Sequence, residues 1–136
     1  MKHPMYVTAD DAVKAVRTGD HIHLSSVASV PHILIESLCR RADAGEVRDL
    51  HFHHFHTEGP APYAEPKYEG IFFDQGFFIG PNVRADANAG YADYLPVHLS
   101  ESQKLYRSGA LRCEVAMVQV SLPDENGMFS LGTSVD

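Results

Sequence analysis

The sequence predicts an α/β fold: an open, mainly parallel β-sheet with helices on both faces. Two observations support this prediction. Short apolar runs typical of strands alternate along the chain with segments whose apolar residues recur at helical spacing. The run at residues 113–120 is apolar on both of its alternating sides, which is typical of a strand covered on both faces. The length of 136 residues corresponds to a single domain.

The first third of the chain predicts a helix, a strand and a second helix. Thr8 begins the first helix, because its hydroxyl can accept from backbone N–H groups, and Gly19 ends it. Residues 21–24 form the strand. Pro31 begins the second helix at the position where a missing N–H does no harm. The apolar spacing predicts its buried face to be Leu34, Ile35, Leu38 and Ala42.

The rest of the chain predicts five more strands or strand-like runs and two more helices. Pro96 confines its strand to an edge or an end of the sheet, and Ser100 with Gln103 forms a capping box. The predicted strands are 47–55, 71–73, 77–79, 94–97 and 113–120, and the predicted helices are 82–89 and 100–107.

Composition excludes some classes of partner. The net charge of −7 argues against nucleic acid, which requires a basic surface. No apolar run reaches the length of a membrane span, so we expect no membrane partner. The two cysteines, Cys39 and Cys113, are predicted to be reduced and buried, as in a cytoplasmic protein, with a disulfide between them as the alternative.

The ligand site of an open α/β sheet lies beyond the carboxyl ends of its strands. Four loops are predicted to meet there, at residues 25–30, 54–70, 96–100 and 121–127. The loop with Ser25, Ser26, Val27 and Ala28 leads from a strand into a helix, and its small side chains let a ligand approach backbone N–H groups that suit an oxyanion. A plain βα connection is the alternative.

The run HFHHFH at residues 51–56 is the densest set of possible metal ligands. Two histidines on one strand face can chelate zinc, but no third or fourth ligand follows at a familiar spacing, so we predict no metal site. Hydrogen-bonded histidines at a strand end are the simpler interpretation. His54 and His56, nearest the carboxyl end of the strand, are the better candidates for polar contacts in the crevice.

Two further stretches carry charge near the predicted crevice. Arg84, at a helix start, can hold an anionic ligand or form a surface ion pair. The stretch Asp124-Glu125-Asn126-Gly127 offers carboxylates, but Asn-Gly is a favoured hairpin turn, and nothing apparent desolvates Glu125. We therefore expect a turn there and not a catalytic group.

Four stretches resemble the amino-terminal part of the acetyl-CoA hydrolase/transferase family, which includes 4-hydroxybutyrate CoA-transferase and belongs to the class I CoA-transferases. They are TADDAVKAVRTGDHIHLSS, VPHILIESL, FFIGPNVRADANAGYADYLPVHLSE and CEVAMVQVSLPDENGMFSLGTSVD. The resemblance extends from about Thr8 to Asp136. The final motif, an apolar strand followed by Ser-x-Pro-Asp-x-x-Gly-x-x-Ser-x-Gly, is the most specific, with Leu122 where the family more often has proline.

The resemblance implies a two-domain acyl-CoA:carboxylate CoA-transferase whose glutamate nucleophile lies in the carboxyl-terminal domain. No stretch here matches the surroundings of that glutamate, so residues 1–136 are expected to form an incomplete amino-terminal domain with no catalytic residue of its own. Ser25, Ser26, Val27 and Ala28 fall where class I relatives place a glycine-rich oxyanion loop. The family positions near the interdomain cleft are Gly80, Asn82, Arg84, Pro123 and Gly127.

The resemblance also implies substrates and partners. The expected substrates are an acyl-CoA thioester and a short-chain carboxylate, with no covalently bound cofactor. The expected partners are the protein's own carboxyl-terminal domain or a partner chain, in a homo-oligomer. Three alternatives stay open: an acetyl-CoA hydrolase, a stand-alone binding module for CoA or another anionic metabolite, and a metal-binding protein built on residues 51–56.

Overall fold

The fold is a five-stranded parallel sheet with helices on both sides, seen in a computed structural model that describes residues 6–135. The strands are β1 (His21–Leu24), β2 (Leu50–His54), β3 (Phe72–Gly76), β4 (Ala92–Tyr94) and β5 (Val115–Met117). The helices are α1 (Ala9–Ala12), α2 (His32–Asp43), α3 (Arg84–Ala89) and α4 (Leu99–Ser108). Short 3₁₀ turns lie at Val13–Ala15, Pro62–Ala64 and Pro66–Tyr68.

The strand order β4-β3-β2-β1-β5 contains one reversal. Strands β1 to β4 follow one another outward, and the chain then returns through α4 to place β5 on the other side of β1. Right-handed crossovers in opposite directions put their helices on opposite faces of the sheet. The gap between β1 and β5 is therefore the topological switch point, where open α/β sheets bind ligands.

One face of the sheet, here named the core face, carries the apolar strand residues. Helix α2 and the 3₁₀ turns after β2 cover it, and Ile35 and Leu38 are the most deeply buried residues of α2. The strand side chains on this face are fully or almost fully buried: Ile22, Leu24, Leu50, Phe52 and Phe72. The strict alternation along each strand places these residues under α2.

The opposite face, here named the histidine face, carries His21, His23, His51, His53 and Phe73. The rings of His21 and His51 stack at 4.3 Å between centroids, and those of His51 and Phe73 stack at 4.8 Å. Helix α4 covers only part of this face, where the Tyr106 hydroxyl lies 3.2 Å from His23 Nδ1. A gap of about 310 Å³ remains between α4 and the strands. The prediction of helices on both faces is confirmed.

Several element predictions are confirmed in detail. The Thr8 hydroxyl accepts from the Asp11 N–H at 3.1 Å and caps α1. Gly90, with φ of 88°, ends α3 in the left-handed conformation that glycine adopts without strain. Strand β4 lies at an edge of the sheet, as Pro96 indicated.

The prediction of a long strand at 113–120 that is covered on both faces is wrong. Strand β5 has three residues, pairs only with β1 and forms an edge of the described sheet. Met117 is buried, whereas Ala116, Val118 and Val120 are exposed. An apolar run shows that a segment can be buried, but it does not say how many neighbours the strand has.

Two local predictions are also corrected. The apolar runs 71–73 and 77–79 are not two strands: β3 includes Asp74 and Gln75, which pair with β2 despite their polarity. Helix α4 begins at Leu99 with His98 as its N-cap, and no side chain caps it, so Ser100 and Gln103 do not form the capping box. Ladder pairing and tertiary contact override these local signals.

Both cysteines are free thiols. Cys39 is buried, and burial raises the pKa of its thiol to about 11, whereas Cys113 is exposed, contrary to the prediction that both are buried. None of the helices between residues 6 and 135 has the length and hydropathy that crossing a membrane requires.

Candidate active-site wall

A groove of about 440 Å³ lies at the carboxyl edge of the sheet, next to the switch point. Loops that follow β1, β2 and β3 meet there with the start of α4. The residues contributed by these elements are Ser26, Val27, Phe55, His56, Phe78 and Leu99. Ser134 and Val135 close the groove from the end of the described chain. Within the part of the chain that the structure describes, its lining contains no lysine, arginine, aspartate or glutamate, so the groove is suited to an apolar group.

The loop after β1 forms a tight turn from Ser26 to Ser29, closed by a 3.0 Å bond from the Ser29 N–H to the Ser26 carbonyl. Val27 occupies the second position of this turn with φ of 56°. A positive φ is rare for a branched side chain, and such outliers concentrate at functional sites. The sequence showed a small-residue loop here but gave no indication of the strain at Val27.

The backbone donors of this loop differ in their availability. The Ser25 N–H donates to the Met117 carbonyl at 3.0 Å, and the Val27 N–H donates to the His56 carbonyl at 2.8 Å. Both donors are therefore occupied. Ala28 is exposed at the apex of the turn, and its N–H has no acceptor among residues 6–135. Of these N–H groups, the one at Ala28 is best placed to meet an incoming oxygen.

The two serine hydroxyls hold the loop in place. The Ser25 hydroxyl donates to the Ser29 carbonyl at 2.5 Å and accepts from the Gln119 N–H at 3.0 Å. The Ser26 hydroxyl accepts from the Phe55 N–H at 2.9 Å. Both serines are at most 2% exposed. Their hydrogen bonds join the ends of β1, β2 and β5 at the switch point.

His54 lies on the core face, away from the groove. It is fully buried, and its Nε2 lies 2.6 Å from Oδ1 of Asp74, which is also buried. His54 Nδ1 and Asp74 Oδ2 have no hydrogen-bond partner among the described residues. The sequence identified the polar histidine but not this pairing, because Asp74 lies on a different strand.

The two predicted residues after β3 lie in different surroundings. The Asn82 amide Nδ2 donates to the Thr57 hydroxyl at 3.0 Å and to the Gly59 carbonyl at 3.1 Å. Arg84 is the first residue of α3, is exposed and forms no ion pair within the described range. Asn82 therefore supports the loop after β2, whereas Arg84 is a free surface cation.

The turn after β5 is organised by its own side chains. Asp124 Oδ1 accepts from the Asn126 and Met128 N–H groups at 2.9 and 2.8 Å. Gly127, with φ of 74°, takes the left-handed position of the turn. Pro123 is half-buried, and neither it nor Gly127 lines the groove. The carboxylate of Asp124 is thus committed to holding the turn.

The histidines of the histidine face form a polar cluster apart from the groove. His21 Nδ1 lies 2.9 Å from His53 Nε2, so one ring nitrogen donates to the other. Burial lowers the pKa of His53 to about 4, with further lowering from the neighbouring His21 and His51. Burial also lowers the pKa of His21. Across residues 6–135, no three His, Cys, Asp or Glu side chains are placed to hold a metal ion.

Several groove residues were not singled out from the sequence. They are Phe55, Phe78, Leu99, Ser134 and Val135, whereas His56 was a candidate for a polar contact in the crevice. His56 and Leu99 lie within predicted crevice loops, so their position was available from the topology. Phe78 was assigned to a strand, and Val135 is about 110 residues from the loop after β1 in sequence, so no local pattern could join them.

The fold is that of CoA-transferase structures. A solved 4-hydroxybutyrate CoA-transferase from Porphyromonas gingivalis superposes with a TM-score of 0.72 at 24% identity, over 96% of this chain and 28% of that one. RipA from Yersinia pestis superposes with a TM-score of 0.82 at 24% identity, over 93% of this chain and 31% of that one. These likenesses show the fold.

The chain belongs to the acetyl-CoA hydrolase/transferase family, whose amino-terminal domain model matches residues 3–136. A succinyl-CoA:acetate/propanoyl-CoA:succinate CoA transferase of Fasciola hepatica is 34% identical over 93% of this chain and 26% of its own length. The 4-hydroxybutyrate coenzyme A transferase of Clostridium kluyveri is 29% identical over 96% of this chain and 30% of its own length. The chain thus spans less than a third of these relatives.

Proposed function

We propose that this chain forms one wall of the acyl-CoA site of an acyl-CoA:carboxylate CoA-transferase. The observation that carries the proposal is the strained Ser26–Ser29 turn beside an apolar groove at the switch point, with the Ala28 N–H unoccupied. The transferases that this chain resembles act on CoA thioesters according to their names. No separate cofactor is required by this proposal.

The Ala28 N–H is assigned to the oxygen of the thioester. Attack on a thioester carbonyl places negative charge on that oxygen, and a fixed backbone donor stabilises the charge without reorganising. Loss of one such donor typically raises a barrier by about 3 kcal/mol. The surrounding serine hydrogen bonds hold the turn before substrate arrives, which is the property that such a donor needs.

The apolar groove is assigned to the acyl group and the adjoining thioester arm. Phe55, Phe78 and Leu99 supply an apolar surface, and no side chain of the lining carries a fixed charge that would bind phosphates. The exposed Arg84 is the candidate for a phosphate or carboxylate contact. Pro123 and Gly127 are assigned to the cleft only as supports of the turn after β5.

We infer that the nucleophile comes from another region of the protein or from a partner chain. Among residues 6–135, the groove lining contains no carboxylate, and the family resemblance implies a glutamate nucleophile outside this stretch. On this proposal residues 1–136 alone neither transfer CoA nor form a covalent acyl or CoA adduct.

An exposed apolar strip between residues 118 and 135 supports the need for such a partner. Seven large apolar side chains there are at least 38% exposed, and they are Val118, Val120, Leu122, Met128, Phe129, Leu131 and Val135. Clustered exposure of this kind marks interaction surfaces. We assign the strip to contact with further protein, within the same polypeptide or in a homo-oligomer.

The free thiol of the exposed Cys113 favours a cytoplasmic location.

Chemical-shift mapping tests the site. Acetyl-CoA titrated into the ¹⁵N-labelled chain should shift the amides of Ala28, Val27 and Phe78, while the amide of Thr18, before β1 at the opposite edge of the sheet, stays unchanged. Shifts confined to other regions would contradict the assignment. Calorimetry with CoA separates a stand-alone binding module, which binds tightly, from one wall of a cleft, which binds weakly.

A CoA-transfer assay tests the chemistry. The isolated chain should not transfer CoA from acetyl-CoA to a carboxylate, and adding the carboxyl-terminal region of a related transferase should restore transfer. Activity of the isolated chain, or a covalent adduct on one of its carboxylates detected by mass spectrometry, would overturn the proposal. Release of free acetate without an acceptor would identify the completed protein as a hydrolase, the second activity in the family's description.

A further inference from the structure

The turn at Val27 requires support from its surroundings. A valine at φ of 56° is strained, because its branched side chain crowds the backbone there. Strained conformations of this kind persist only when neighbouring structure holds them. The turn's own bond, from Ser29 to Ser26, closes it but leaves the orientation of its apex to other contacts.

The segment after β2 provides those contacts. The Val27 N–H donates to the His56 carbonyl at 2.8 Å, and Val27 forms a parallel bridge with Thr57. One residue earlier, the Phe55 N–H donates to the Ser26 hydroxyl. The backbone at residues 55–57 thus acts as the template on which the turn is held.

Thr57 is in turn held by its side chain. The threonine is 1% exposed, and its hydroxyl lies 2.9 Å from the hydroxyl of the equally buried Tyr63. It also accepts from the Asn82 amide at 3.0 Å, and the same amide donates to the Gly59 carbonyl. One hydroxyl therefore joins the template segment to the loop after it and to the loop after β3.

The backbone at Gly80 packs closely against Asn82 and Thr57. A Cβ added at Gly80 would lie 2.7 Å from Asn82 Oδ1 and 3.2 Å from the Thr57 carbonyl. Gly80 is therefore required here for close approach. Asn82 and Thr57 do not line the groove, so any role in ligand chemistry acts through the residues that they hold.

We propose that Thr57 and Asn82 are positioning residues that hold Val27 in its left-handed conformation and so fix the direction of the Ala28 N–H. The proposal rests on the proposed function for its chemical meaning, because that donor is assigned to the thioester oxygen. Its structural content, a hydrogen-bonded pair at residues 57 and 82 that sustains a strained turn at residue 27, stands separately.

The conformation of Val27 is the direct readout. A positive φ brings the amide and Hα protons of the same residue close together, so the unmodified chain should give an intense intraresidue nuclear Overhauser effect at Val27. Thr57→Val removes the hydroxyl at almost constant volume, and Asn82→Ala removes the amide. Each should weaken that signal severalfold as the turn relaxes to a negative φ.

Two matched substitutions serve as controls. Thr18→Val removes another threonine hydroxyl that accepts from a backbone N–H, at the opposite edge of the sheet. Asn88→Ala removes an exposed amide from α3. Both should leave the Val27 signal unchanged. If Thr57→Val and Asn82→Ala also leave it unchanged in folded protein, the proposal is wrong.

Glycine at position 27 provides a rescue. Because glycine adopts positive φ without strain, Val27→Gly combined with Thr57→Val should recover the shift of the Ala28 amide that acetyl-CoA induces and that Thr57→Val alone loses. A role limited to general stability predicts no recovery in samples that are fully folded. That result would overturn the positioning role.

The outcome for the proposed function is separate. If acetyl-CoA shifts no groove amide in the unmodified chain, the proposed function fails, while the Val27 signal in Thr57→Val and Asn82→Ala still decides the positioning proposal. If acetyl-CoA shifts the Ala28 amide equally in all variants, the function stands and the positioning proposal fails.

Discussion

The two faces of the sheet are built from the same five strands, yet they differ in chemistry and in cover. The core face is apolar and lies under α2, whereas the histidine face is polar and only partly covered by α4. His53 and His54 are adjacent in sequence and both fully buried, but they point to opposite faces. His54 pairs with a carboxylate, and His53 with another histidine.

The difference shows that burial depends on what covers a strand and not on residue type alone. On the core face the apolar side chains meet a long amphipathic helix, and their burial contributes about 25 cal/mol per Å² of apolar surface. On the histidine face the rings bury one another by stacking, and their polar atoms need partners within the sheet. Stability should therefore respond unequally to matched changes on the two faces.

The largest difference is expected between two phenylalanines. Phe52 is fully buried on the core face, where it contacts Tyr63 and Phe72, so Phe52→Ala should lower the free energy of unfolding by about 3–5 kcal/mol. Phe73 is half-buried on the histidine face, so Phe73→Ala should lower the free energy of unfolding by about 1 kcal/mol. Urea denaturation measures both values. Equal losses would show that the two faces are packed alike.

The next difference concerns two His–Asp pairs. Asp74→Asn removes the charge from the buried pair with His54. The free energy of unfolding should fall by about 1.5–3 kcal/mol, because a hydrogen bond to a charged group contributes about that much to stability. Asp49→Asn alters the exposed pair with His51, at 3.2 Å, and should cost less than about 1 kcal/mol. Asparagine tolerates the positive φ at residue 49, so backbone strain does not enter. A reversed order in thermal unfolding would contradict the burial argument.

Acid should weaken the histidine face. The pKa of His53 is lowered from 6.5 to about 4 in the folded chain, chiefly by burial, so between those pH values the unfolded chain binds more protons. The free energy of unfolding should therefore decrease as the pH falls from 6.5 towards 4. Protonation of both rings would also leave both nitrogens of the His21–His53 bond as donors and break it.

Removal of the titrating group tests this dependence. His53→Gln should flatten the change in unfolding free energy between pH 6.5 and 4, relative to the unmodified chain. His98→Gln, at an exposed position with no side-chain cap bond, is the matched control for loss of a histidine. If the slope is the same in His53→Gln and in the unmodified chain, His53 is not its source.

The smallest effect is expected from the stacked rings. His51 lies between His21 and Phe73, so His51→Ala should remove both stacking contacts and cost about 1 kcal/mol. His51→Phe keeps an aromatic ring and should recover most of that loss. If His51→Ala lowered the free energy of unfolding by several kcal/mol, the histidine face would contribute more to stability than its partial cover by α4 indicates.

The positions of most elements could be predicted from local patterns. Thr8, Pro31 and Gly90 marked helix boundaries because capping and positive φ are properties of single residues. The strand at 21–24 and the buried residues Ile35 and Leu38 of α2 followed from apolar spacing. The extent of β5 could not be predicted in this way, because its apolar residues did not reveal that only β1 pairs with it.

The candidate site was predicted only in part. The loop at 25–28 and Asn82 were singled out, but the strain at Val27 and the hydrogen bonds through Thr57 were not. His54 was expected near the crevice and lies on the core face with Asp74. The functional meaning of the Ala28 donor and of Arg84 stays a prediction. In each case the unpredicted part is a contact between segments far apart in sequence.

The sequence by itself determined the fold class, several helix boundaries and the family, because alternation, capping and motif spacing are properties of neighbouring residues. The tertiary structure alone decided which face each histidine joins, which loop donors stay free and how strand ends meet at the switch point. These depend on strand order and register, which bring together residues such as Ser25 and Gln119, and no local pattern encodes that approach.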